Sequence, residues 1–284
     1  MSSRLITGDK FESEKEVELS LRPKNFTEFT GQEKVKDKIK VFVEAAKRRG
    51  EPLDHTLLCG PTGLGKTTLA HIIAHHMDTE IKVTSGPAIN RKGDIAAILT
   101  SMKPNSILFI DEIHRLSRDV EEYLYSAMED FALDIVTGDG LGARTMRFQL
   151  VPFTLVGATT RAGLLKAPFR DRFGIVERLN FYDRASLVQI LEHSADRLKT
   201  NLTAEGAEEI AKRSRGTPRI ANRLLRRVRD YAEVKGDGKI TTELAKYALD
   251  QLEVDQLGLD PMDRKILFLI YEKFGGGPVG IDTM

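Results

Sequence analysis

The stretch Thr56-Leu-Leu-Cys-Gly-Pro-Thr-Gly-Leu-Gly-Lys-Thr-Thr68 decides the fold of this chain. The apolar residues 57–59 predict a short buried strand, the glycines that follow predict a tight turn, and Lys66 with Thr67 opens a helix. Residues 60–67 match Gly-x-x-x-x-Gly-Lys-Ser/Thr, the pattern of a P-loop when a strand precedes it and a helix follows. The alternative, a glycine-rich turn that only caps a helix, is disfavoured because every fixed position and both flanks fit.

A P-loop predicts phosphate binding for a physical reason. Its glycines let consecutive backbone N–H groups point inward, and the following helix offers its free N–H groups and the positive end of its dipole to the same anion. We expect Lys66 to reach the β- and γ-phosphates and the Thr67 hydroxyl to ligate Mg²⁺. ATP and Mg²⁺ are therefore the predicted cofactors, and the predicted nucleotide-binding residues of the loop are Gly63, Gly65, Lys66, Thr67 and Thr68.

A second nucleotide motif follows the apolar run 107–110, which is typical of a strand buried on both faces of a parallel sheet. Asp111 and Glu112 lie at the carboxyl end of this predicted strand, which is where ligands of open α/β sheets bind. We expect Asp111 to hold the Mg²⁺ that Thr67 also binds, and Glu112 to polarise the water that attacks the γ-phosphate. His114 is expected to orient its neighbours.

Composition limits the class of protein. The 284 residues are 41% hydrophobic and 30% charged, which predicts a globular chain with more than one domain. No apolar run approaches the roughly 18 residues of a membrane span, so no membrane partner is expected. The polar residues 1–18 predict a flexible tail and lack the apolar core of a signal peptide. The single cysteine, Cys59, excludes an internal disulfide. Both features favour a cytoplasmic protein. With a net charge of +1, nucleic-acid binding would need a local basic patch.

The remaining elements divide into two parts. Strand and helix patterns alternate as far as Tyr182, interrupted by two strand-like segments, 133–136 and 146–151, whose glycine-rich connection predicts a projecting β-hairpin. Beyond Tyr182 only helices are predicted, at about 184–199, 204–212, 218–233 and 242–252, with Asp183 and Thr203 as N-caps. A last helix is predicted up to residue 274, with Asp260 as its N-cap and Pro261 at its first position.

Several stretches carry a family resemblance: Leu21-Arg-Pro23 with Gly31-Gln32, the P-loop, Phe109-Ile-Asp-Glu-Ile-His-Arg115, Gly157-Ala-Thr-Thr-Arg161, Phe169-Arg-Asp-Arg-Phe-Gly174 and Arg215-Gly-Thr-Pro-Arg-Ile-Ala-Asn-Arg-Leu224. In these stretches, which span nearly the whole chain, it resembles the AAA+ class of ATPases and, within that class, the RuvB family of bacterial branch-migration motors. One departure is Thr62, where the family usually has a second proline. That position needs only an ordinary φ, so little effect is expected.

The resemblance implies an α/β architecture in three regions. Residues 1–182 would form a P-loop AAA+ domain with a parallel sheet and an inserted β-hairpin. Residues 183–255 would form an all-helical lid domain, and residues 256–284 the start of a winged-helix DNA-binding domain. The later helices and the wing of that last domain would lie beyond Met284, so the chain is expected to be truncated there.

The resemblance also implies roles for matched residues. Thr160 looks like the first sensor, a hydroxyl that detects the γ-phosphate, and Arg219 looks like the second sensor, which couples the lid to the nucleotide. Leu21, Arg22 and Tyr182 match positions around the adenine.

Arg172 looks like the arginine finger, which acts on the ATP of a neighbouring subunit and so implies a ring, a hexamer in this family. Arg170 is the rival candidate for this role. For either arginine, a surface ion pair with Asp171 or another neighbour is the alternative.

The implied function is an ATP-driven hexameric motor that pumps duplex DNA and branch-migrates Holliday junctions in homologous recombination and DNA repair. RuvA would dock on the hairpin 133–150. The alternative is that this hairpin is a purely structural arm. RuvC resolvase is a further candidate partner. The basic run 212–235 could be a solvated helix face, a contact with a neighbouring subunit or a contact with the DNA backbone. The competing function is a nucleotide-switched scaffold similar to a clamp-loader subunit, in which hydrolysis only resets the shape.

Overall fold

A computed structural model of the protein describes residues 20–137, 144–280 and 283. The described chain divides into two compact units, one from Pro23 to Asn180 and one that joins the residues up to Arg22 with those from Phe181 onward. The boundary predicted after residue 182 and the separate region predicted for 256–284 stay predictions. The tail predicted for residues 1–18 lies outside the described residues.

The first unit is built on a parallel sheet. Its strands are β1 (Thr56–Cys59), β2 (Ile81–Ser85), β3 (Ile107–Asp111), β4 (Ala132–Thr137), β5 (Arg144–Gln149), β6 (Thr154–Thr159) and β7 (Ile175–Arg178). Five of them pair in the order β2-β3-β6-β1-β7, all in parallel. The three central strands are buried along almost their whole length, which explains why they read as bare apolar runs.

Helices cover the sheet and connect its strands. They are α1 (Glu33–Arg49), α2 (Lys66–His76), α3 (Lys92–Thr100), α4 (Arg118–Glu129) and the single turn α5 (Ala167–Arg170). The core between helices and sheet includes the fully buried side chains of Leu57, Phe109, Phe153 and Phe169. Strand and helix alternate as the P-loop pattern predicted.

The hairpin interrupts this alternation, as predicted. β4 and β5 pair with each other in antiparallel register, from Ala132 opposite Gln149 to Thr137 opposite Arg144, and form a separate sheet. Leu133 is buried at the base, whereas Met146 and Phe148 are exposed. The tip that links the strands, which includes Leu141 to Ala143, lies outside the described residues.

The second unit is helical, as predicted. It contains α6 (Arg184–Leu198), α7 (Ala204–Lys212), α8 (Pro218–Lys235), α9 (Thr242–Gln251) and α10 (Pro261–Phe274). The side chains of Asp183, Thr203 and Asp260 accept hydrogen bonds from the backbone at the starts of α6, α7 and α10, which confirms the predicted N-caps. Two short strands that the sequence did not predict, β8 (Asn201–Leu202) and β9 (Lys239–Ile240), pair in parallel. Two residues are too few to show strand periodicity.

The last helix, α10, has no fully buried residue, and the side chains of Met262, Leu267, Phe268 and Tyr271 are more than half exposed. Its assignment to the start of a winged-helix domain stays a prediction. In the described part of the chain, no helix is long and apolar enough to cross a membrane.

Gly60, directly after β1, allows a close backbone approach to Leu179, directly after β7. Its φ is 140°, and an added Cβ would lie 2.5 Å from the carbonyl oxygen of Leu179. We expect Gly60→Ala to lower the free energy of unfolding by about 1–3 kcal/mol, because the backbone would have to shift. Gly93→Ala is the matched control, since a Cβ there meets nothing within 4 Å. Equal melting temperatures for the two variants would contradict the prediction.

Candidate nucleotide site

The P-loop adopts the backbone conformation that its glycines predict. Gly60, Gly63 and Gly65 have φ values of 140°, 78° and 99°, a region that side chains with a Cβ rarely adopt. The loop leads directly into α2, whose first turn contains Lys66, Thr67 and Thr68. The turn therefore presents the N-terminus of an eleven-residue helix to the loop, which is the arrangement that binds phosphate.

Lys66 lies inside this loop. Its side-chain amine donates hydrogen bonds to the carbonyl oxygens of Gly60 (2.8 Å) and Pro61 (2.7 Å), and the residue is only 7% exposed. Burial lowers the pKa of Lys66, and the charge of Asp111 opposes that shift. The positive charge of Lys66 and the negative charge of Asp111 thus attract each other.

Asp111 and Glu112 stand at the carboxyl end of β3, as predicted. Asp111 is the last residue of the strand, and its Oδ1 accepts a hydrogen bond of 2.9 Å from the backbone N–H of Glu112. Glu112 adopts a left-handed φ of 48°, and its Oε2 accepts from Nη1 of Arg115 at 3.1 Å. We call Asp111 and Glu112 the acid pair. Because β3 and β1 both flank β6 in parallel, the acid pair and the P-loop lie at the same edge of the sheet.

The end of β6 carries a contact that the sequence did not specify. The hydroxyl of Thr159 is buried, lies 3.0 Å from Nδ1 of His114 and accepts a hydrogen bond of 3.0 Å from the backbone N–H of Arg161. Thr160, the predicted first sensor, is the exposed next residue. The pair therefore ties the segment after the acid pair to the residues that flank Thr160. Burial lowers the pKa of His114, and Glu112 partly opposes this shift.

Arg172 is held by its own chain. Its guanidinium carbon lies 4.3 Å from the centre of the Tyr125 ring, and its Nη2 lies 3.0 Å from Oε1 of Glu129. The ion pair is therefore made with Glu129 and not with Asp171. Arg170, the rival finger, is exposed and lies near enough to Cys59 that its charge lowers the pKa of that thiol, against the larger effect of burial.

The predicted adenine-contacting residues and the second sensor belong to the second unit. Leu21 and Tyr182 are buried, and the backbone N–H of Tyr182 donates to the carbonyl of Gly216 at 2.9 Å. Arg219 is exposed in the first turn of α8. Burial lowers the pKa of Arg22, and the positive charge of Arg219 adds to that effect.

The donor set fits a nucleotide with Mg²⁺. The side-chain oxygens of Thr67 and Asp111 are hard ligands, and Mg²⁺ takes few protein ligands because it keeps several waters and binds substrate phosphates. Within the described residues, no group of three or more His, Cys, Asp or Glu side chains could hold a metal ion. A structural zinc site would need such a group.

Comparison with protein families decides the assignment. The model described as the Holliday junction DNA helicase RuvB P-loop domain matches residues 21–179, and the RuvB AAA lid domain matches residues 182–255. This chain belongs to the RuvB family. The predicted resemblance and the predicted fold class are thereby confirmed.

Individual relatives agree with the family models. The RuvB subunit of the Holliday junction branch migration complex of Bdellovibrio bacteriovorus is 69% identical over 282 residues, which cover 99% of this chain and 86% of that protein. The Thermotoga maritima RuvB Holliday junction branch migration motor has a TM-score of 0.84 at 52% identity, over 93% of this chain and 84% of that one. A mutant of the same Thermotoga protein gives a TM-score of 0.86 at 52% identity, with coverages of 93% and 83%.

As a RuvB-family member, this chain is a P-loop ATPase of the branch-migration class, which confirms the predicted enzyme and nucleotide binding. The roles of individual residues stay predictions, among them those of Thr160, Arg172 and Arg219 and of Leu21, Arg22 and Tyr182 around the adenine.

Proposed function

We propose that this chain is the motor subunit of a homohexameric ring that pumps duplex DNA and so branch-migrates Holliday junctions together with RuvA. The observation that carries the proposal is the shared edge of the sheet, where the P-loop, Asp111-Glu112 and the end of β6 emerge side by side. This arrangement is what coupled binding and hydrolysis of ATP requires. The high identity to a branch-migration subunit supports the DNA substrate.

The residues of the first unit would divide the chemistry. Lys66 and the backbone of the P-loop bind the phosphates, while Thr67 and Asp111 hold Mg²⁺, which when bound neutralises charge on the phosphate oxygens. Glu112 orients and polarises the attacking water, and its half-exposed carboxylate is free to do so once Arg115 moves aside. Thr160 reports the γ-phosphate to the sheet.

Other roles reach beyond the first unit or the subunit. We assign Arg172 to the ATP of the neighbouring subunit, which is why a ring is needed. Arg219 would report the nucleotide state to the lid, and Leu21, Arg22 and Tyr182 would contact the adenine.

RuvA would dock on the hairpin 133–150, with RuvC resolvase as a further partner in the bacterial cytoplasm. The exposed side chains of Met146 (62%) and Phe148 (49%) on β5 support a docking role over a purely structural arm, because apolar groups on a projecting hairpin favour a protein partner.

The experiment that tests the proposed function is a branch-migration assay. A full-length version of the protein is added to a synthetic four-way junction with ATP, with and without RuvA. We expect junction movement that requires ATP and increases with RuvA, accompanied by continuous DNA-stimulated ATP turnover. One turnover per loading event without junction movement would favour the clamp-loader-like switch instead.

A prediction for the hairpin separates docking from catalysis. Replacing the tip, Leu141 to Ala143, by a short polar turn is expected to leave the basal ATPase rate unchanged, because β4 and β5 form a sheet apart from the nucleotide site. The variant is expected to lose its response to RuvA. ATPase and branch-migration rates with increasing RuvA measure both properties. Lys103→Ala, a substitution at an exposed ion pair with Glu80, is the matched control. RuvA binding equal to that of the unaltered protein would refute the docking role.

A further inference from the structure

One face of α4 contacts the segment that carries Arg172. Glu121, Tyr125 and Glu129 follow one another at intervals of four residues, so they share a face of the helix. We call these three residues the α4 face and residues 166–173 the finger segment. The contacts between them lie entirely within the first unit.

The α4 face contacts the finger segment near its beginning, in its middle and near its end. At the beginning of the finger segment, Lys166 Nζ lies 3.8 Å from Oε2 of the buried Glu121. In the middle, the fully buried ring of Phe169 lies 5.7 Å from the ring of Tyr125. At the end, Arg172 stacks on Tyr125 at 4.3 Å and pairs with Glu129 at 3.0 Å. Lys166, Phe169 and Arg172 of the finger segment therefore contact the α4 face.

The other end of α4 leads back to the acid pair. Asp111 and Glu112 are followed by a tight 3₁₀ turn, Ile113–Arg115, and α4 begins at Arg118. Ile113 anchors this turn in the core, where its side chain packs so closely on Gly157 of β6 that a Cβ there would lie 2.8 Å from its Cδ1. Residues 113–117 therefore join the acid pair to α4, and of these Ile113 and Leu116 are buried whereas Arg115 and Ser117 are exposed.

We propose that Tyr125 and Glu129 are positioning residues for the Arg172 finger. Tyr125 orients the guanidinium plane, and Glu129 retains it on its own subunit until the triphosphate of the neighbouring subunit competes for it. This inference rests on the proposed function, in which Arg172 acts on the neighbour's ATP.

The two contacts suit these different tasks. A guanidinium stacks well on an aromatic face, so Tyr125 can fix the position of the Arg172 side chain. In this conformation that side chain is 22% exposed, its Nη1 also donates a hydrogen bond to the carbonyl oxygen of Pro168, and its Nε is buried. The Glu129 side chain is 55% exposed, and an ion pair with a half-exposed carboxylate is weak. A triphosphate, with more charge and more acceptor oxygens, can displace it. Glu129 therefore acts as a retaining partner that is easily exchanged.

Mixed rings test the proposal because they separate the subunit that lends the finger from the subunit that hydrolyses ATP. In the parent mixture, Lys66→Ala subunits lend an intact Arg172, and Arg172→Ala subunits provide an intact P-loop. Tyr125→Leu is then introduced in one partner at a time, with Tyr125→Phe as the control that keeps the ring. ATPase rate against mixing ratio is measured, and ring assembly is verified by sedimentation.

We expect an asymmetric result. Tyr125→Leu in the Lys66→Ala partner should reduce the rescued rate by on the order of 10- to 100-fold, because the lent finger is misplaced. The same substitution in the Arg172→Ala partner should leave the rescued rate unchanged, since that subunit has no finger to position. Tyr125→Phe should preserve rescue in both arrangements. Equal losses in both arrangements, or no loss in either, would overturn the positioning role.

Glu129→Gln in the Lys66→Ala partner is expected to act in the opposite direction. Removing the retaining charge should raise the rescued rate by up to about fivefold, the factor that corresponds to a weak exposed ion pair. An unchanged or reduced rate would overturn the retaining role of Glu129. If the parent mixture shows no rescue in assembled rings, the part of the proposed function that assigns Arg172 to the neighbour's ATP fails, and the inference fails with it. A different outcome, in which rescue occurs but its rate does not change with the substitutions at Tyr125 and Glu129, would overturn only the inference.

Discussion

Lys66→Ala is expected to abolish tight ATP binding, whereas Glu112→Gln is expected to leave ATP binding intact and to stall hydrolysis. Lys66 is a buried ammonium inside the P-loop, so its loss removes positive charge from a site shielded from water. Truncating one partner of a buried charge pair costs about 2–5 kcal/mol, which is about 30- to 5,000-fold in Kd. Glu112 lies past the end of β3 and is assigned to the attacking water and not to the phosphates, so its loss should lower kcat by about 10²- to 10⁴-fold.

Equilibrium binding of a fluorescent ATP analogue and steady-state ATPase assays distinguish the two defects. Lys103→Ala and Glu80→Gln are matched controls, because these residues form an exposed ion pair on the surface of the same unit. Both control variants should behave like the unaltered protein. Equal losses of nucleotide affinity in Lys66→Ala and Glu112→Gln would show that Glu112 is a structural residue.

Arg172→Ala is expected to be nearly inactive alone and to recover part of its ATPase activity when mixed with Lys66→Ala subunits. A planar, permanently charged guanidinium can neutralise charge that develops on the γ-phosphoryl oxygens, and such a finger contributes about 10³ to 10⁵ in turnover in related systems. In a mixed ring, an intact P-loop can face an intact finger. Arg172→Lys should rescue poorly, because lysine keeps the charge but loses the two-pronged geometry.

The rate as a function of mixing ratio is the measurement, with assembly verified by sedimentation. Arg170→Ala serves as the comparison variant, because it removes the rival guanidinium two residues away. Strict absence of complementation in assembled mixed rings would show that Arg172 serves its own site or only the observed ion pair with Glu129. The finger assignment would then move to Arg170.

The sequence by itself determined the features that depend on neighbouring residues. Glycine spacing predicted the P-loop because only glycine readily adopts the positive φ values found at Gly60, Gly63 and Gly65. Apolar runs predicted the buried strands, and short polar side chains predicted the N-caps at Asp183 and Thr203, since both signals are local. The acid pair was placed at a strand end for the same reason.

The tertiary structure alone decided which distant residues meet. The strand order β2-β3-β6-β1-β7 brings the acid pair and the P-loop to one edge with β6 between them. His114 meets Thr159 across 45 positions of sequence, and Arg172 stacks on Tyr125 of another helix. Such pairs leave no periodic signal, because they depend on how whole elements pack. The two-residue strands β8 and β9 are likewise defined only by their pairing with each other, which local propensity cannot specify.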